Sequence, residues 1–230
     1  MKSIQTMKTE WKNLPESRKQ RILGLISAWG SLAWATAKVL MGIFTASFFL
    51  VLSGLYSACL GLARHIAVDG MKRYPKKLAQ QRDCYAKVIL VLFLATAVFF
   101  AYMIRLVFLP AAVHYAPLIV AVLAIAAVME FIFAVKGTIK ACKHKELLYS
   151  AMAGINLNGA FSALVLAEVV VISLVTHGEN STLIASGGLV FGSLGVICCL
   201  AMVAVYVKTG IYLKKLQKMD VESDVFRGRR

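Results

Sequence analysis

The sequence predicts an all-α, polytopic membrane protein: a bundle of six transmembrane helices with both termini cytoplasmic. Three observations carry that expectation. Of the 230 residues, 60% are apolar and only 16% are charged, against roughly 45–50% and about 25% in soluble domains. Six apolar stretches reach the roughly 20 residues of helix that a hydrocarbon core about 30 Å thick demands. Finally, 24 of the 26 Lys and Arg residues fall in segments that alternating spans place on a single side, and retention of basic loops makes that side the cytoplasm.

The spans run, in order, over Ile22–Ile43, Ser47–Ile66, Val88–Leu109, Val113–Val135, Leu147–Val175 and Leu183–Val207. The first two are joined by so few residues that they must form an antiparallel hairpin. Pro110 and Pro117 mark the third junction, His177-Gly178-Glu179-Asn180-Ser181-Thr182 marks the fifth, and Lys136-Gly137 and Lys208-Thr209-Gly210 mark helix exits. The chain thus divides into a basic cytoplasmic segment, 1–21, a transmembrane domain, 22–208, and a basic cytoplasmic tail, 209–230. The first apolar run is longer than the 7–15 residues of a signal-peptide core and follows a polar segment, so the start of the chain is expected to be retained. Within it, Lys2 to Lys12 carries Ile4, Met7 and Trp11 at helical spacing, which suits either a helix lying on the membrane surface or a free tail.

A formal charge of +15 raises nucleic acid as a partner, because phosphate backbones attract Lys and Arg. The excess lies wholly in the cytoplasmic segments, however, so it reads as a topology signal. The expected partners are the bilayer itself and the anionic inner-leaflet lipids of a plasma membrane, with no nucleic acid.

Four ionisable groups fall inside spans: Lys38, Arg105, Glu130 and Glu168. Each costs at least about 2.5–3.5 kcal/mol at the bilayer centre, which makes it a functional candidate. Counted along the helices, Lys38, Arg105 and Glu168 share the outer half, so Glu168 is expected to pair with one of the two cations. Such a pair serves a substrate or proton site, or simply orients helices; snorkelling of Lys38 and Arg105 to the interface is the other structural reading. Glu130 lies near Lys136 and is expected to be solvated or locally paired. The fifth span carries Ser150, Gly154, Asn158 and Ser162 at i+4 spacing, with Asn156 beside them; the second carries Ser53, Ser57 and Gly61 with Gly54 and Ala58; the sixth carries Gly188 and Gly192. These small or polar stripes belong inside the bundle, where they hydrogen-bond or let helices approach.

Thr45-Ala46-Ser47, followed by Leu50 and Ser53-Gly54-Leu55-Tyr56-Ser57, resembles the start of the second membrane helix of the cation diffusion facilitator family, a Thr-Gly-Ser turn followed by two metal ligands. Asn156-Leu157-Asn158-Gly159-Ala160 resembles the stretch after that family's second ligand pair. The resemblance covers roughly residues 22 to 210 and implies six helices, cytoplasmic termini, a tight first hairpin and a homodimer. It also implies a lost metal site. The ligand positions fall on Ser53 and Ser57 of the second span and on or near Ser150 and Gly154 of the fifth, which offer zinc neither carboxylate, imidazole nor thiolate. About 20 residues follow Gly210, too few for the family's cytoplasmic metal-binding domain.

The remaining His and Cys residues restore no metal site. Cys198 and Cys199 point about 100° apart on one helix. Cys142, His144, Cys84 and His65 lie among basic loop residues, and His114 and His177 at the outer boundary. No cofactor is expected, and no nucleophile elbow, phosphate loop or HExxH motif suggests an enzyme. Asn180-Ser181-Thr182 matches a glycosylation acceptor but is too close to the membrane to be used. The leading expectation is therefore a transporter-like membrane domain, moving a cation or small solute through a cavity between the second and fifth helices. Ser53, Ser57, Ser150, Asn156, Asn158 and Glu168 line that cavity, with Glu168 as the charge carrier. The alternatives are a non-transporting scaffold or partner-binding subunit, and the substrate-binding subunit of a vitamin importer.

Overall fold

The computed structural model describes residues 16–75, 77–108, 117–142, 146–175 and 181–227. These form six helices: α1 (Glu16–Phe44), α2 (Phe48–Arg73), α3 (Leu78–Phe108), α4 (Pro117–Cys142), α5 (Leu147–Val175) and α6 (Ser181–Arg227). The segment 2–12 and the residues His114, His144, His177 and Asn180 singled out in the sequence lie outside the described residues. Five helices, α2 to α6, are long and apolar enough to cross a membrane. The first of the six expected spans, on α1, is not among these five, which are counted over the described residues.

Helix ends depart from the apolar stretches mainly at one face of the bundle. There α2 runs on to Arg73, α3 begins at Leu78 rather than Val88, and α6 continues to Arg227. Hydropathy marks what a bilayer tolerates, whereas Lys, Arg, Gln and Ala propagate a helix in water equally well. That face, the terminal face, carries the start of α1, the α2–α3 and α4–α5 connections and the end of α6. The opposite one, with the α1–α2 turn, is the hairpin face.

The burial pattern is that of a multi-pass membrane bundle. The apolar windows of α2 and α5 are each 61% buried, against 28% for α3, 22% for α4 and 28% for α6. The two central helices are also the less apolar ones, since they carry the serines, asparagines and glycines. The outer helices instead expose Leu, Ile, Val and Phe side chains such as Leu90, Leu94, Ile125, Phe133 and Ile197. An apolar exterior of this extent suits lipid and would aggregate in water. Around the α2–α5 contact, α1 packs on α2, α4 on α5 and α3 on α6.

The α1–α2 turn shows how the sequence closes this arrangement. The N–H of Ser47 donates to Gly42 O at 2.8 Å and that of Ala46 to Ile43 O at 3.2 Å, the paired bonds of a Schellman motif with Ala46 at its left-handed position. Ala46 has φ 51°, where a Cβ crowds the backbone. Ser47 then caps α2, its Oγ accepting from the N–H of Leu50 at 3.4 Å. Gly42 makes the turn possible, because a Cβ there would lie 2.6 Å from the backbone nitrogen of Val51. Further along, Gly54 lets α1 and α2 touch; its Cβ would lie 2.9 Å from the carbonyl of Ala35.

Replacing Ala46 by Gly removes the left-handed cost and should stabilise the protein by about 1 kcal/mol, read as a higher midpoint of unfolding in detergent. A lower midpoint would show that the turn is not held in this conformation.

Candidate functional site

Lys38 is fully buried, with 0% of its surface exposed. Its ammonium donates to both carboxylate oxygens of Glu130 at 3.0 Å and to Ser57 Oγ at 3.2 Å, and it lies 5.6 Å from the centre of the Trp34 ring. All three N–H donors of the lysine are therefore used. A buried ion pair survives the loss of hydration only when its remaining donors and acceptors are met in this way. Glu130 keeps 27% of its side chain exposed, and that exposure is to a cavity.

The pair corrects the expected one. Glu168 meets neither Lys38 nor Arg105: its carboxylate faces Gly187 of α6, and its Oε2 has no hydrogen-bond partner among the described residues. Arg105 is exposed near the end of α3. The reason lies in side-chain direction, since a helical Cα–Cβ bond leans toward the helix N-terminus. Counting about 1.5 Å per residue from the hairpin face, the Lys38 backbone lies ~9 Å deep, Ser57 ~14 Å and Glu130 ~20 Å. α1 starts at the terminal face, so Lys38 reaches deeper; α4 starts at the hairpin face, so Glu130 reaches back. They meet at the level of Ser57.

A cavity of about 750 Å³ opens on the terminal-face side of this pair, walled by α1, α2, α4 and α5. Its size falls within the range of small-molecule sites. The expected site between α2 and α5 is thus displaced: those two helices touch each other, whereas α1 and α4 share almost no close backbone approach, and the open space lies on their side. The walls are mostly apolar, from Trp34, Leu60, Met71, Met129, Phe133 and Met152, and among them stand Arg64, Lys136 and Lys140. Arg64 Nη2 donates to Asn156 Oδ1 at 3.2 Å and Nη1 to Ser31 Oγ.

Of the six residues expected to line a cavity, Ser57 and Asn156 do so. Ser53 is buried on α2, Ser150 is half-buried on α5, and neither reaches the cavity wall, nor does Glu168. Asn158 faces away into the packed interior. It accepts from Tyr56 Oη at 3.3 Å and donates to Gly154 O at 3.0 Å, which satisfies a buried amide without any ligand. Ser162 belongs to the site instead. It lines the large cavity and also a second one of about 10 Å³ between α2, α3, α5 and α6, bounded by Tyr56, Thr96 and Phe99. Its hydroxyl has no partner among the described residues. Among the described residues, no three His, Cys, Asp or Glu side chains come together as a metal site would need.

Sequence reasoning missed Arg64 by grouping it with the basic connection that follows α2. The available signal was its spacing: it stands about 13 Å inside the end of α2 at 1.5 Å per residue, within the apolar stretch itself. A scan against protein-family models, a search of curated proteins and a search of solved structures each return no match to this chain.

Removing one member of the pair should be costly and removing Glu168 should not. Glu130→Gln is expected to destabilise the protein by about 3 kcal/mol, since it leaves the Lys38 ammonium buried without a counter-charge. Glu168→Gln is expected to leave unfolding in detergent unchanged. Equal losses in the two variants would return Glu168 to the structural role first expected of it.

Proposed function

We propose that this chain is a plasma-membrane transporter-like protein that holds a small solute in the cavity between α1, α2, α4 and α5. Its termini, and with them the cavity mouth, face the cytoplasm. The observation that carries this reading is the cavity floored by a single buried ion pair that spans α1 and α4. Two helices joined by a few charge-assisted hydrogen bonds, rather than by an interdigitated apolar seam, part when a solute or water takes over those bonds, since parting the pair with nothing in its place costs several kcal/mol. Movement of that kind is what alternating exposure of a central site requires.

The basic residues at the terminal face support the orientation. The second, water-sized cavity supports a route, because it continues on the far side of Ser162 toward the hairpin face and holds room for about one water. The Thr45-Ala46-Ser47 turn and the α2–α5 contact fit descent from a cation-efflux architecture in which Ser53, Ser57, Ser150 and Gly154 no longer bind metal. On this reading the solute site has moved from the old ligand positions toward α1 and α4.

The test uses Ser162→Cys in a protein whose five native cysteines are replaced by Ala. In sealed vesicles, a membrane-impermeant thiol reagent should modify this residue from both sides if the site is alternately exposed. Labelling from the terminal face alone would make the protein a binding subunit rather than a carrier. No labelling from either face would leave a sealed scaffold.

A further inference from the structure

Deepening the reading of the same cavity, we infer that its ligand is an amphipathic anion: an apolar body ending in a carboxylate or phosphate, held by Arg64. The inference rests on the cavity being a solute site, but its charge argument is separate. Glu130 is the acidic residue among the lining, and both its oxygens are taken by Lys38. That leaves Arg64, Lys136 and Lys140 with no carboxylate partner among the described residues. Arg64 is met only by two neutral side chains, Ser31 and Asn156, and its Nε is buried and bonds to nothing among the described residues. A guanidinium presents five donors in a planar fork that matches a carboxylate or phosphate, and a site that leaves one of them buried and unused invites an acceptor.

The three cations are ordered along the cavity. Lys140 and Lys136 stand near the terminal end of α4, at ~3 and ~9 Å from it at 1.5 Å per residue, and both are exposed. Arg64, with Gly137 and Asn156 beside it, marks the next level. Beyond it the Lys38–Glu130 pair closes the floor. Such a series raises the local concentration of anions and guides them inward, while it repels cations. A metal cation or organic amine would meet this positive series with one already neutralised carboxylate to receive it.

The rest of the wall specifies the other end of the ligand. Trp34, Leu60, Met129, Phe133 and Met152 line the same cavity with apolar surface. Because α1 and α4 barely touch, Ile26, Met129 and Phe133 at the rim are exposed, so the cavity opens toward the apolar exterior as well as toward the terminal face. An apolar tail enters from the side and an anionic head sits at Arg64. This chemistry is shared by a fatty acid or anionic lipid drawn from the bilayer and by a water-soluble amphipathic acid.

Purified full-length protein in an uncharged maltoside detergent is titrated with decanoate, decyl phosphate, decanol and decyltrimethylammonium, with binding read by thermal shift. The two anions should stabilise the protein, and decanol and the ammonium should not. Arg64→Gln should weaken decanoate binding at least about tenfold, the range for loss of a charge-assisted hydrogen bond, and Arg64→Lys should retain part of it. Lys136→Gln, at an exposed position where folding is not at risk, should weaken it by a smaller factor and flatten its salt dependence. Native mass spectrometry separates the sources: an anionic lipid carried through purification by the unmodified protein and lost in Arg64→Gln points to the bilayer, whereas lipid-free protein that binds hexanoate as well as decanoate points to a soluble acid. Either source supports the inference. Binding of the ammonium or of decanol equal to that of decanoate overturns the anion assignment while keeping a solute cavity. No binding of any probe overturns both.

Discussion

The Lys38–Glu130 contact is the interaction on which the rest of the arrangement depends. Lipid cannot solvate an ammonium, and a lysine with no exposed surface must find every one of its partners inside the protein. Lys38 finds them on three helices: Glu130 on α4, Ser57 on α2 and the Trp34 ring on its own helix. These contacts set the rotation of α1 about its axis, since turning it away would expose the charge to hydrocarbon. They also set the distance between α1 and α4, because a lysine and a glutamate joined end to end hold two backbones well apart. The cavity follows from that spacing. Where α1 and α2 meet through Gly42 and Gly54 the backbones nearly touch; where α1 and α4 meet through long charged side chains they do not.

Electrostatics and packing act together in this site. The pair is neutral overall, so the net positive charge of the cavity lining above it comes from Arg64, Lys136 and Lys140, with Glu130 close enough to act on Arg64. The apolar walls lower the local dielectric and strengthen whatever charge interaction forms there. The remaining polar residues of the interior work differently: Asn158, Tyr56 and Gly154 close a hydrogen-bonded link within the packed centre, holding α2 to α5. Rigidity and openness are thus divided between the two sides of α2 and α5.

Much of the fold was legible in the sequence. The fifth span was read at the boundaries of α5, the tight hairpin at Thr45-Ala46-Ser47 is a Schellman turn, and the stripes of Gly54, Gly154, Gly188 and Gly192 lie where helices approach, because small residues in an apolar helix have few other uses. The site was read less well, for two physical reasons. Depth was counted at the backbone, which ignores that side chains on antiparallel helices lean in opposite directions; Lys38 and Glu130, about 11 Å apart in depth by backbone count at 1.5 Å per residue, meet at their tips. Arg64 was taken with the basic segment that follows it, although helices here run past the apolar boundary and carry cations inside. The small-residue periodicity of α5 likewise could not tell Asn156, which reaches the cavity, from Asn158, which faces the packed interior.

The claim that one ion pair fixes the α1–α4 spacing is tested most directly by a double-mutant cycle of Lys38→Met and Glu130→Met, with stability measured by reversible unfolding in detergent. Coupled residues depart from additivity by 0.5–3 kcal/mol. The structure predicts a coupling near the upper end, about 2 kcal/mol or more, with the double variant more stable than either single one because an apolar pair replaces the buried charges without orphaning one. Additive losses, within about 0.5 kcal/mol, would mean that Lys38 is satisfied elsewhere and that the cavity does not depend on the pair.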